Sequence, residues 1–129
     1  MTAATITAQK MNLSMVGMIG YLWETMDGDD VGQVVKLPPY KSLTVQLGAG
    51  GGNTHGSSTT VMQGSNDPLA ESDPANAVWF TLTEKDTAST AISRTTTAIL
   101  KEVKEHPLYI RPSQSGGTAA DIDVIAIAR

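Results

Sequence analysis

The sequence predicts an all-β protein, an antiparallel β-sandwich of jelly-roll type with an extended N-terminal arm. Three observations carry that expectation. Apolar and polar residues alternate with a period of two in several short runs. Clusters of Gly, Pro, Asn, Asp and Ser punctuate those runs. The chain is rich in Thr, Ser, Gly and Ala, and with charged residues at only 17% it lacks long charged helical stretches.

The elements follow in chain order. Residues 1–25 read as an arm containing a strand, and residues 26–129 as one sandwich domain. Within the arm, Met11, Met15, Met18 and Leu22 recur at helical spacing. Gly17 and Gly20 each weaken a helix by roughly 1 kcal/mol relative to Ala, so a strand is preferred. "GQVVKL" is a strand that Pro38-Pro39 ends. In "KSLTVQLG", Leu43, Val45 and Leu47 point to a core while Ser42, Thr44 and Gln46 point away. Gly48–Ser58 is a long Gly-rich loop, and "TVMQG" is the strand after it. Asp67-Pro68 and Asp73-Pro74 bracket a further loop. In "VWFTLT", Val78, Phe80 and Leu82 oppose Trp79, Thr81 and Thr83.

"TTAILKEVKEHP" fits two elements. As a helix it would place Ile99, Leu100 and Val103 on one face with Lys101 and Glu105 at i,i+4; as a strand it would end at Pro107. "LYIRP" is a strand whose pairing Pro112 should terminate. The last strand, "DIDVIAIAR", is apolar on both faces near its end: Ile122, Val124, Ala126 and Ala128 on one, Ile125 and Ile127 on the other. Such a strand is central in a two-layer core or covered by another subunit. The expected core is Leu43, Val45, Leu47, Phe80, Leu82, Leu108, Ile110, Ile122 and Val124.

The length of 129 residues suits one domain. The net charge of −4 argues against general affinity for nucleic acid or anionic lipid. With no Cys, disulfides, thiolate catalysis and Cys-based zinc sites are excluded. The apolar run Met11–Trp23 is shorter than the roughly 20 residues a membrane helix needs. It lacks the flanks of a secretory signal, so the chain is expected to be soluble and unprocessed.

Reaction chemistry is sparse. His55 and His106 have no Cys, second His or carboxylate at ligand spacing, and read as loop residues. No G-x-S-x-G elbow occurs, and "GAGGGNTHG" lacks the G-K-[ST] ending of a phosphate loop. "DGDD" (Asp27, Gly28, Asp29, Asp30) lacks the spacing of a calcium loop and reads as an acidic turn. Asp121 and Asp123 share a face as solvated rim carboxylates. No catalytic, cofactor or metal residue is assigned, and the expectation is a non-enzyme. Tyr21, Trp23, Tyr40 and Trp79 are aromatics that can stack on sugars, although a core of this size needs some of them as filler.

"VMQGSNDP" with "AVWFTLT", followed by "HPLYIRPSQSGGTAADIDVIAIAR", resembles a pattern among small structural proteins of tailed bacteriophages. There a strand ends in "QGSND", a loop leads to a Trp strand, and a "YIRP" strand precedes a Gly-Thr turn and a final strand. The matching positions here are Gln63 to Asp67, Trp79, Tyr109 to Pro112 and Gly116 to Thr118, within Val61–Arg129. The Asp67-Pro68 step and the "LAESDPANA" insertion depart from the simpler "SNDG" turn. In this reading "GSND" is a turn in which Asn66 and Asp67 accept backbone hydrogen bonds and Gly64 permits an unusual φ.

The resemblance implies a non-enzymatic virion protein, a capsid decoration (cement) protein made in the host cytoplasm and carried on the capsid surface. Its partner would be the major capsid protein, and its form a homotrimer suited to lattice three-folds. No nucleic-acid or membrane partner is implied. The interface candidates are Met15, Met18, Tyr21, Trp23, Trp79, Ile125 and Ile127. The competing expectation is a carbohydrate-binding or adhesin-type module of a phage tail.

Overall fold

Period-two alternation produces strands throughout. The computed structural model describes residues 4–13, 17–48, 58–86, 88–95, 97–116 and 122–129. Its elements are β1 (Thr5–Ile6), β2 (Ala8–Met11), β3 (Ile19–Met26), β4 (Val31–Gly32), β5 (Val35–Lys36), β6 (Leu43–Leu47), β7 (Thr59–Ser65), α1 (Leu69–Ser72), β8 (Phe80–Thr81), β9 (Ser93–Arg94), β10 (Ile99–Glu102), β11 (Tyr109–Ser115) and β12 (Ile122–Ala128).

Two sheets pack face to face as a sandwich. The first runs β1-β4-β11-β7-β8, with β5 also on β11 and β9 also on β7; the second runs β10-β6-β12-β3-β2. The named strand pairs are antiparallel apart from β1 and β4. Between the sheets lie Trp23, Met26, Leu43, Val45, Leu47, Met62, Leu82, Ile92, Val103, Ile110, Ile122 and Val124. Among the described residues, no helix is long and apolar enough to cross a membrane.

The N-terminal segment, expected as an arm containing a strand, contributes strands to both sheets. β3 pairs with β12 on one side and β2 on the other, and it brings Trp23 and Met26 into the core. β1 belongs to one sheet and β2 to the other, so residues 5–11 strap the two together along one edge. Between Trp23 and Met26 the ladder carries a bulge: Glu24 and Thr25 oppose Asp123 alone. Thr25 takes a positive φ of 60° there, and its N–H donates to Asp123 Oδ1 at 3.0 Å.

The segment that fitted either helix or strand is a strand, because β10 pairs residue for residue with the edge of β6. Lys101 meets Glu84 at 2.9 Å, and Glu105 accepts from Thr83. Pro112 does not end its strand either; β11 continues to Ser115 against β7. Gln114 N–H donates to Asp30 O on the β4 side, so by the period of two the nitrogen of Pro112 faces that side as well. There it faces Gly32, the last residue of β4, between the Ser113–Val31 pair and the Ile110–Val35 pair, at a position where β11 makes no ladder pair on that side.

Two residues expected in the core lie outside it. Phe80 is 66% exposed and Leu108 39%. Phe80 does share a face with Leu82, but it sits on the edge strand opposite Gly64, and the space over Gly64 is filled by Leu82 and Pro107. Alternation gave the correct face; the second sheet does not extend far enough to cover it. Val78, in the same alternation, is also exposed.

A buried polar network, which the pattern of residues does not announce, lies within the sandwich. Arg94 is fully buried and donates to Ser58 O at 3.0 Å, Ser58 Oγ at 2.9 Å and Thr60 Oγ1 at 3.2 Å. Thr60 donates to Gln114 Oε1, and Gln114 donates to Met26 O. Burial lowers the tendency of the Arg94 guanidinium to hold its proton.

Candidate functional site

The interface candidates do not form one patch. Met15, like His55 and Asp121, lies outside the described residues. Trp23 is fully buried, with its indole N–H donating to Gln33 O at 3.0 Å, so it fills the core and is unavailable as a surface anchor. Trp79 is half-buried on the outer face of the first sheet. Its ring lies 4.3 Å from the Arg111 guanidinium, and its N–H donates to Pro74 O. Met18 and Tyr21 are half-buried near one open end of the sandwich.

Ile125 and Ile127 do share a surface. In β12 the even-numbered residues are buried and Asp123, Ile125 and Ile127 face outward. Register places Ile125 between Gln46 and Leu22, and Ile127 between Thr44 and Gly20. The same rows extend to Leu100 on β10 and to Gln9 and Met11 on β2. Leu100 is 62% exposed. The second sheet therefore presents an apolar outer stripe centred on its middle strand and edged by Gln, Thr and Glu102.

The acidic turn is built as a turn. Asp30 accepts the N–H groups of Ala4 and Asp27, Asp27 accepts that of Gly28, and Asp29 accepts that of Gly116. Among the described residues, no cluster of His, Cys, Asp or Glu is arranged to hold a metal.

"GSND" is a clip as well as a turn. Asn66 Oδ1 accepts Leu108 N–H at 2.7 Å, while Asp67 accepts Leu69 N–H and Val78 N–H, both at 2.9 Å. Those two bonds hold the Asp67 carboxyl below its ordinary range. Gly64 has no positive φ among those recorded. Its role is steric: a Cβ there would stand 2.7 Å from both Leu82 Cδ2 and Pro107 Cγ.

An open cavity of about 620 Å3 occupies the end of the sandwich where the chain crosses from β5 to β6. Tyr21, Leu37, Pro38 and Tyr40 line it together with Asn66 and His106. The Tyr40 ring stacks on His106 with centroids 5.4 Å apart, and its hydroxyl donates to Pro107 O at 2.8 Å. Burial pushes that hydroxyl up to about 12. Sequence reading named Tyr21 and Tyr40 singly; the flanking prolines were the available hint that the chain turns there.

No protein-family model matches the chain, and no curated protein matches it in sequence. Among solved structures it is similar to the SPBc2 prophage-derived protein YomS, with a TM-score of 0.55 and 11% identity over 91% of this chain and 98% of that one. At that identity the likeness defines the fold. Looser likenesses are to the K3 cleaved adhesin domain of Lys-gingipain from Porphyromonas gingivalis (TM-score 0.40, 22% identity, 86% and 74% of the two chains) and to chitosan-binding module 1 of a Paenibacillus chitosanase/glucanase (TM-score 0.39, 18% identity, 96% and 94%). These two have no bearing on function.

Proposed function

We propose that the protein is a non-enzymatic structural component of a tailed-phage virion, and more finely a decoration protein that binds and stabilises the outside of the head. The observation that carries this reading is the apolar outer stripe of the second sheet, with Leu22, Ile125 and Ile127 at its centre. Half-exposed apolar residues in register across neighbouring strands mark a surface for association. The sandwich that bears the stripe is shared, over nearly the whole of both chains, with a prophage-derived protein. The segment Val61–Arg129, with its phage-like turns, supports the same origin.

In this role the stripe mediates contact between copies, as a trimer at lattice three-folds, and with the major capsid protein. The test is to mix the purified protein with stripped mature capsids, immature shells and free capsid subunits, then pellet. Binding should be strong to assembled shells and weak to free subunits. Equal binding to all three, or to none, would remove the decoration role and favour an adhesin.

A further inference from the structure

The cavity at the open end of the sandwich carries features the decoration role does not use. Its volume of about 620 Å3 falls within the roughly 300–1,000 Å3 of small-molecule sites. Two tyrosine rings and Pro38 form apolar walls. Tyr40 is fixed from behind, by the stack on His106 and by its hydroxyl bond. His106 is fixed in turn by Nε2 donating to Lys41 O at 3.0 Å. The site is preorganised.

Unused polar capacity rims these walls. Asn66 commits its Oδ1 to Leu108 N–H, and its amide NH2 makes no bond to another described residue. The Tyr21 hydroxyl and the Lys36 ammonium likewise have no partner among the described residues. The charge balance is also local. In a chain of net charge −4, the lining residues include Lys36 but no Asp or Glu.

We infer that this cavity binds a saccharide bearing a carboxylate, of the uronic-acid class, with the sugar's C–H face against the tyrosine rings and its carboxylate at Lys36. A purely apolar acid would remain largely wet in a site so open to solvent. A pyranose has one apolar face and a polar rim, which matches aromatic walls edged by donors. The lone cation without a competing carboxylate selects the acid over its neutral counterpart. The inference is independent of the virion role and survives if capsid binding fails.

The test is an amide-resolved NMR titration of the full chain with oligogalacturonate and, separately, a neutral galacto-oligosaccharide of equal length. Shifts should be confined to the amides of Lys36, Leu37, Tyr40, Asn66, His106 and Leu108. The acidic sugar should bind about tenfold more tightly, the size of one charge-assisted hydrogen bond. Lys36→Gln, at an exposed position, should keep the fold and reduce the acidic sugar to the neutral one's affinity. Tyr21→Leu should weaken both sugars, with the spectrum of the rest of the chain reporting that it remains folded. Absence of shifts at these amides, equal affinity for the two sugars, or a preference that survives Lys36→Gln would each overturn the inference.

Discussion

Asp67 ties the "GSND" turn to two distant points of the chain, because one carboxylate oxygen holds Leu69 N–H and the other holds Val78 N–H. Its depressed carboxyl has a consequence for stability. A group that binds its proton less tightly when folded stabilises the fold above its unfolded pKa, roughly 3.9 for Asp, and loses that contribution as pH falls through the lower folded value. Asp67→Ala should therefore lower the melting temperature at neutral pH, with the gap to the parent narrowing below about pH 4; a gap unchanged down to pH 2 would show that the two bonds contribute nothing. Arg94 acts from inside. Arg94→Leu removes the guanidinium bonds to Ser58 O, Ser58 Oγ and Thr60 Oγ1, and losing hydrogen bonds to a charged group costs about 1.5–3 kcal/mol each. A loss of at least about 3 kcal/mol in urea unfolding is expected on that basis. Gly32 is set by crowding: a Cβ there would collide with the Pro112 ring and stand 2.8 Å from Trp23 Cδ1.

At the scale of elements, alternation read the central strands correctly and the margins poorly. β6 and β12 keep one face buried along their whole length, so pattern and burial coincide, and Leu43, Val45, Leu47, Ile122 and Val124 lie in the core as expected. Phe80 has the same pattern but sits on a two-residue edge strand, and no local signal reports how far the facing sheet reaches. The 97–106 segment has apolar residues that suit either period, and its choice was made by β6, which offers an edge to pair with. Pro112 misled because pairing on that side lapses between Ser113–Val31 and Ile110–Val35, which is invisible from β11 itself. The end cavity was hidden for a related reason: Tyr21, Tyr40, Asn66 and His106 come together only when both sheets are in place. One prediction belongs here. Gly64 lies where β7 passes beneath Leu82 and Pro107, so Gly64→Ala should destabilise by about 1–3 kcal/mol through overpacking, measurable as a shift of the denaturant midpoint with an unchanged slope.

The whole molecule poses the question of how strongly its apolar stripe can bind. Five strands about 4.8 Å apart, each spanning about 20 Å, offer a flat face of roughly 500 Å2. A stable interface buries about 800 Å2 per partner, so this face alone supports only a weak pairwise contact. In the proposed decoration role the lattice would overcome this weakness, because a second contact made by an anchored copy occurs at high effective concentration. Shell binding should then be steep in the number of contacts and sensitive to one central residue. Ile127→Lys places a charge in the middle of the stripe, on a side chain that faces away from the core, so the sandwich should remain folded while self-association and shell binding fall together. If the proposed contact is this apolar stripe, raising salt from about 0.05 to 0.5 M should weaken binding of the parent little, whereas screening would weaken a contact between exposed charges. Co-sedimentation with shells, run beside analytical ultracentrifugation of the free protein, reads both quantities. A folded Ile127→Lys variant that binds and associates like the parent would show that the stripe is not the contact surface, and the proposed contact would have to be sought on the Trp79 face instead.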